Sequence, residues 1–126
     1  MPITTIAALT ATTLLTALAA LQVLVAAGRP YGRVVWGGQH DVLPRRLRVG
    51  SAVSVLLYTV FALLLLWRVG VFGPPGLVAY IAAWVPFAFS AAGIVLNAIS
   101  RSHFERLVMT PTSALLAVCS LIVAIG

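Results

Sequence analysis

Hydrophobic residues fall in four long runs, and the polar ones gather in the gaps between them. The first run, residues 3–27, has no charged side chain; the second, 49–67, lies between Arg48 and Arg68; the third covers 77–100 and the fourth 108–125. At about 1.5 Å of rise per residue, runs of roughly 20 residues match a hydrocarbon layer about 30 Å thick, so each predicts a transmembrane helix. Gly73-Pro74-Pro75-Gly76 makes the middle connection a tight turn. Thr110 ahead of Pro111 reads as a helix start, with threonine as the cap and proline in the first turn. Counted from Pro111, the last helix falls short of the membrane thickness, at about 24 Å. The expected fold is an all-α membrane protein: one domain, 1–126, of four transmembrane helices in one bundle.

Composition agrees with the pattern. With 62% hydrophobic and 8% charged residues, there is too little polar surface to cover a water-exposed globule, so the expected solvent is lipid. Nothing basic precedes the first run and Arg29 and Arg33 follow it, the reverse of a secretory signal, so this run is expected to be retained. Of the eight arginines, Arg29, Arg33, Arg45, Arg46 and Arg48 lie between runs one and two, Arg101 and Arg106 between three and four, and only Arg68 beside the middle turn. The positive-inside rule then places the first and third connections in the cytoplasm and both termini on the non-cytoplasmic side. An all-arginine basic set in a chain rich in Ala, Val, Leu and Gly suits GC-rich bacterial coding, and the expected location is a bacterial plasma membrane. Nucleic acid is not an expected partner, because the positive charge sits at membrane interfaces without an aromatic-basic platform.

Small residues mark where helices approach closely in lipid. Ala8, Thr12, Thr16 and Ala20 form such a stripe on the first helix, and Ala79, Ala83, Pro86, Ser90, Gly93 and Asn97 on the third. Pro86 has no N–H for the carbonyl of Ala82 and should kink its helix. In the first connection, Tyr31, Val34, Val35 and Trp36 suit an amphipathic segment at the interface, ended by Gly37-Gly38. Cys119, alone in an apolar run, reads as a packing residue.

Candidate chemistry concentrates at the arginine-rich end. Gln22, Ser51, Ser54, Asn97 and Ser113, with Tyr58 nearer the middle, point to a shallow polar pocket, and Arg45, Arg46, Arg48, Arg101 and Arg106 stand at its mouth. Such a pocket suits an anionic group, above all a lipid phosphate matched by the guanidinium fork. Arg101 and Glu105, four apart, can also pair along a helix. His40, Asp41, His103 and Glu105 are weak metal candidates with no recognised spacing, so neither a metal nor a cofactor is expected.

In size and span number the chain resembles three known groups, and it departs from each at the residues that matter. The small multidrug transporters depend on a carboxylate in the first helix, and residues 3–27 contain none. Fluoride channels carry Gly- and Thr-rich signatures that are missing around Phe87, Phe89 and Asn97. The glutathione-dependent membrane enzymes carry a Glu, Arg, Asn, Glu motif on the second helix that 49–67 lacks. The sequence therefore favours a non-enzymatic module that self-associates or joins a larger membrane complex and contacts anionic lipid. The alternative is a small oligomeric transporter, channel or lipid-handling protein with a polar site near Gln22, Tyr58 and Asn97. A third reading is a membrane enzyme using Asp41 and Glu105 in the loops.

Overall fold

The computed structural model describes residues 2–126, all helix and connecting loop. The helices are α1 (Ile3–Ala26), α2 (Arg45–Arg68), α3 (Leu77–Ala82), α4 (Trp84–Ala98) and α5 (Thr110–Ile125). With α3 and α4 in line, and α5 extended by a π-helical turn over Glu105–Met109, four helices of 24, 24, 22 and 21 residues are long and apolar enough to cross a membrane. α1 packs along both α2 and α5, and α5 in turn along α4, whereas α2 meets α4 only sparsely. The core joins Ala7, Ala8, Ala11 and Leu15 of α1 to Phe61 and Leu65 of α2 and to Leu116, Cys119 and Val123 of α5.

On α3 and α4 the stripe of small residues is the inward face: Ala79, Ala83, Pro86 and Ser90 are buried. On α1 the expectation is half right. Ala8 is buried, but Thr16 and Ala20 are exposed, and the inward face runs through Ala7, Ala11 and Leu15. Of the two threonines in the stripe, Thr16 donates to the carbonyl four residues back at 2.8 Å, as Thr10 and Thr13 do at 2.9 Å, and so can face lipid, whereas Thr12 Oγ1 is buried without a partner among the described residues. The proline effect falls where expected, since the third membrane-length helix is interrupted at Ala83, one turn ahead of buried Pro86.

Three boundaries differ from the sequence expectation. α2 begins at Arg45, so Arg45, Arg46 and Arg48 ride on its first turns rather than in the connection. The last helix does not start at Thr110, whose side chain makes no cap and instead donates to the Glu105 carbonyl at 3.2 Å. Its real start is Ser102, whose Oγ accepts from Glu105 N at 3.3 Å, and the 21-residue span from Glu105 reaches about 30 Å instead of falling short. The first connection is not an amphipathic helix but two 3-10 turns, Gly32–Val34 and Trp36–Gly38, with Trp36, Gly37 and Gly38 all at positive φ. It folds back so that Val35 and Leu43 pack on Val25.

At the opposite end, by the Gly73–Gly76 turn, Arg68 is buried and its guanidinium lies 3.9 Å over the Tyr80 ring, a cation–π contact that ties α2 to α3. The folded-back loop depends on one close approach. Gly32 N donates to the Asp41 carbonyl at 2.7 Å, and a Cβ at Gly32 would collide with the carbonyl oxygens of His40 and Asp41. Gly32→Ala is therefore expected to destabilise the protein by about 1–3 kcal/mol, the cost typical of overpacking a tight site. A lowered midpoint of thermal unfolding in detergent checks it, and an unchanged midpoint would show that the loop can move aside.

Candidate functional site

A cavity of about 470 Å³ lies between α1, α2, α4 and α5 at the arginine-rich end. It occupies the gap that the sparse α2–α4 packing leaves open. Its deep end is closed by aromatic contacts across that gap: Phe61 and Phe89 have ring centroids 5.0 Å apart, and Tyr58 meets the same Phe89 edge-on at 6.4 Å. Its outer end is covered by Val34–Gly37 of the first connection and by Ile99, Ser100 and Glu105.

All but Ser51 of the polar residues singled out within the helices converge here. Gln22, Ser54, Tyr58, Asn97 and Ser113 all line the cavity, each from a different turn of the four helices. Asn97 Nδ2 donates to Ser113 Oγ at 2.9 Å, which couples α4 to α5. Gly93 permits that approach, because a Cβ there would stand 3.2 Å from the same Ser113 Oγ. Ser54 returns its hydroxyl to the Gly50 carbonyl at 3.0 Å, while Ser51 lies outside the cavity and accepts from Trp36 Nε1 at 2.9 Å. Gln22 differs from the others: its amide lies beside the Tyr58 hydroxyl, within hydrogen-bonding range, while its Oε1 is buried and accepts no bond among the described residues.

The arginines do not gather at the mouth of this cavity. Arg48 Nε donates to the Ala26 carbonyl at 2.9 Å and so caps the C-terminus of α1, where a cation also suits the helix dipole. Arg106 Nη1 donates to the carbonyls of Ser100 and Arg101 at 2.8 and 3.2 Å, closing the turn after α4. Arg45 and Arg46 are exposed and line neither hollow. Arg101 turns instead into a second groove of about 530 Å³, shared with Arg33, His103, Phe104, Leu107 and Val108. The expected single pocket with cations at its rim is thus two separate hollows, because helix ends claim the guanidinium groups first.

Nor does Glu105 pair with Arg101. Its Oε1 accepts from Gly37 N at 2.9 Å and from Ser100 Oγ at 2.6 Å, so the carboxylate bridges the first and third connections. Among the described residues no three of the His, Cys, Asp and Glu side chains gather as a metal site; His40 and Asp41 lie exposed in one loop, His103 in the groove and Glu105 in the cavity wall.

Sequence reasoning named Glu105 as a weak metal candidate, an Arg101 partner or a loop acid and placed Trp36 at the interface, but it gave Ser102 no role and none of the three the position it holds here. The signal was present in Ser102-His103-Phe104-Glu105, a capping-box spacing in which serine caps the helix and the glutamate normally reaches back to the serine amide. Here Ser100 Oγ takes that amide at 3.0 Å, and the carboxylate is free to reach across to Gly37. Ser102 Oγ also donates to the Arg33 carbonyl at 2.8 Å, so one hydroxyl both caps the helix and staples the two connections together. Ser102→Ala is expected to cost about 1–2 kcal/mol, at the upper end for a lost cap. Thermal unfolding should show it alongside faster proteolysis of the first connection, and a loss confined to proteolysis would mean that the cap bond contributes nothing. No protein-family model, no curated protein and no solved structure matches this chain.

Proposed function

We propose that the chain is a multi-pass plasma-membrane protein, with its arginine-rich end in the cytoplasm and its termini outside, that holds a small amphiphile in the cavity beside Gln22, Tyr58 and Asn97. The observation that carries this reading is the cavity itself. Its volume falls in the range of small-molecule sites, its wall is apolar and aromatic, and one buried acceptor, Gln22 Oε1, has no partner among the described residues. A polar group held unsatisfied in a low-dielectric site costs stability unless a ligand supplies the missing donor. This supports the transport or lipid-handling alternative over a self-associating module. The stripe of small residues that would drive self-association on the third helix is occupied within the chain, against α5 and α2.

A second, compatible reading has its own observation. The groove between Arg33 and Arg101 combines two guanidinium groups with the exposed apolar side chains of Leu107 and Val108, a composition suited to the head and first methylenes of an anionic lipid.

Gln22→Leu separates a ligand site from packing. If Gln22 serves a ligand, the leucine variant is expected to be more stable than the parent when delipidated, by about 1 kcal/mol, because the orphaned acceptor is gone. It should also lose the co-purifying amphiphile seen by native mass spectrometry from mild detergent. A variant that is less stable and keeps any bound molecule would sink the reading. Topology is tested separately: a reporter active only in the cytoplasm should be silent after Gly126 and active when inserted between Arg29 and Pro44.

A further inference from the structure

We infer that the molecule taken up by this cavity is an organic cation, with the Glu105 carboxylate as its counter-charge and the rings of Tyr58, Phe61 and Phe89 against its apolar body. The inference rests on the amphiphile reading above and names its ligand class.

Among the described residues, Glu105 is the only charged side chain that lines the cavity. The chain has eight arginines against two acidic residues, and one arginine is adjacent in sequence, yet among the described residues Glu105 has no ion pair. Arg106 donates to backbone carbonyls instead. Both hydrogen bonds to the carboxylate fall on Oε1, from Gly37 N and Ser100 Oγ, and Oε2 accepts none among the described residues. The carboxylate is thus held in place by one oxygen, and no guanidinium hydrogen-bonds to it at the cavity wall. A nearby cation gains far more from such a charge than it would in water, because the surroundings are of low dielectric.

The rest of the wall agrees in sign. Gln22, whose amide lies beside the Tyr58 hydroxyl, keeps a buried Oε1 that accepts no bond among the described residues, and aromatic faces attract cations. An anion would meet the carboxylate with no guanidinium facing it, since Arg33 and Arg101 line the other groove and Arg48 and Arg106 cap helix ends. The arginines of the loops repel a cation in bulk solvent, but salt screens exposed charges beyond about 8–10 Å, whereas Glu105 lies in the wall itself. Contact with this carboxylate therefore outweighs the diffuse positive field.

Equilibrium dialysis of the full chain in neutral detergent tests this with two ions of matched shape and opposite charge, tetraphenylphosphonium and tetraphenylborate. The phosphonium should bind saturably, one per chain, and the borate should fail to displace it. Glu105→Gln keeps the Oε1 acceptor for Gly37 and Ser100 while removing the charge. It should still fold, with its thermal midpoint lowered only slightly because those two bonds are no longer charge-assisted, and bind the phosphonium about tenfold more weakly or worse, the loss expected when an ionic partner becomes neutral. Borate that competes for the same site, or phosphonium binding unaltered by Glu105→Gln, would overturn the cation inference and leave the amphiphile reading standing. Binding of neither ion would overturn both.

Discussion

The organisation of this protein turns on how its helix ends are closed where they leave the apolar layer. An α-helix leaves several carbonyls unpaired at one end and several amides at the other, and near lipid these groups need partners from the chain itself. At the arginine-rich end three side chains supply them. Arg48 takes the Ala26 carbonyl at the end of α1, Arg106 the carbonyls that follow α4, and Ser102 the Glu105 amide at the start of the final helix. Arg48 reaches from α2 to α1 and Ser102 also bonds the first connection, so closing the helix ends also fixes how the connections lie over the helices. The Ser102 hydroxyl shows this most directly, since the same atom donates to Arg33 of the other connection.

That constraint also decides where charge resides. Guanidinium groups engaged by carbonyls are withdrawn from the mouth of the cavity, and those left over, Arg33 and Arg101, face a different groove. Glu105, displaced from its usual capping partner because Ser100 Oγ holds the Ser102 amide, is drawn toward the Gly37 amide and ends in the cavity wall. The positive φ values at Gly37 and Gly38 bring that amide within reach; a Cβ at Gly38 would stand 2.8 Å from the Arg33 carbonyl. A chain of strongly positive net charge thus places a carboxylate, and no guanidinium among the described residues, in the wall of this cavity.

The spans were legible in the sequence because burial in lipid demands long apolar runs, and the third helix showed its inward face because Ala79, Ala83, Ser90 and Gly93 allow close approach. The convergence of Gln22, Tyr58 and Asn97 was legible for the same reason: polar side chains in apolar helices turn toward one another. The face of α1 was not, since a threonine that bonds to its own helix has no preference for the interior. The roles of Arg48, Arg106 and Glu105 were illegible too. Each depends on a backbone group 5 to 68 residues away, and composition says only that a cation or an anion is present.

The position of the cavity follows from a taper in side-chain size along α1. Toward its N-terminus α1 presents Ala7, Ala8 and Ala11, fully or nearly fully buried, which let α2 and α5 close on it. From Leu15 onward α1 turns the larger side chains of Leu15, Leu18, Leu21 and Gln22 to the cavity. α2 cannot close the gap on α4 at this level, because Phe61 and Phe89 already meet as large rings at its deep edge. Packing in a lipid environment favours close contact of small residues, so an end of the molecule built from leucine, phenylalanine and glutamine around one helix opens where the alanine end shuts. The cavity opens at the arginine-rich end for that reason, directly beneath the loops whose hydrogen bonds to Glu105 and Ser102 form its cover.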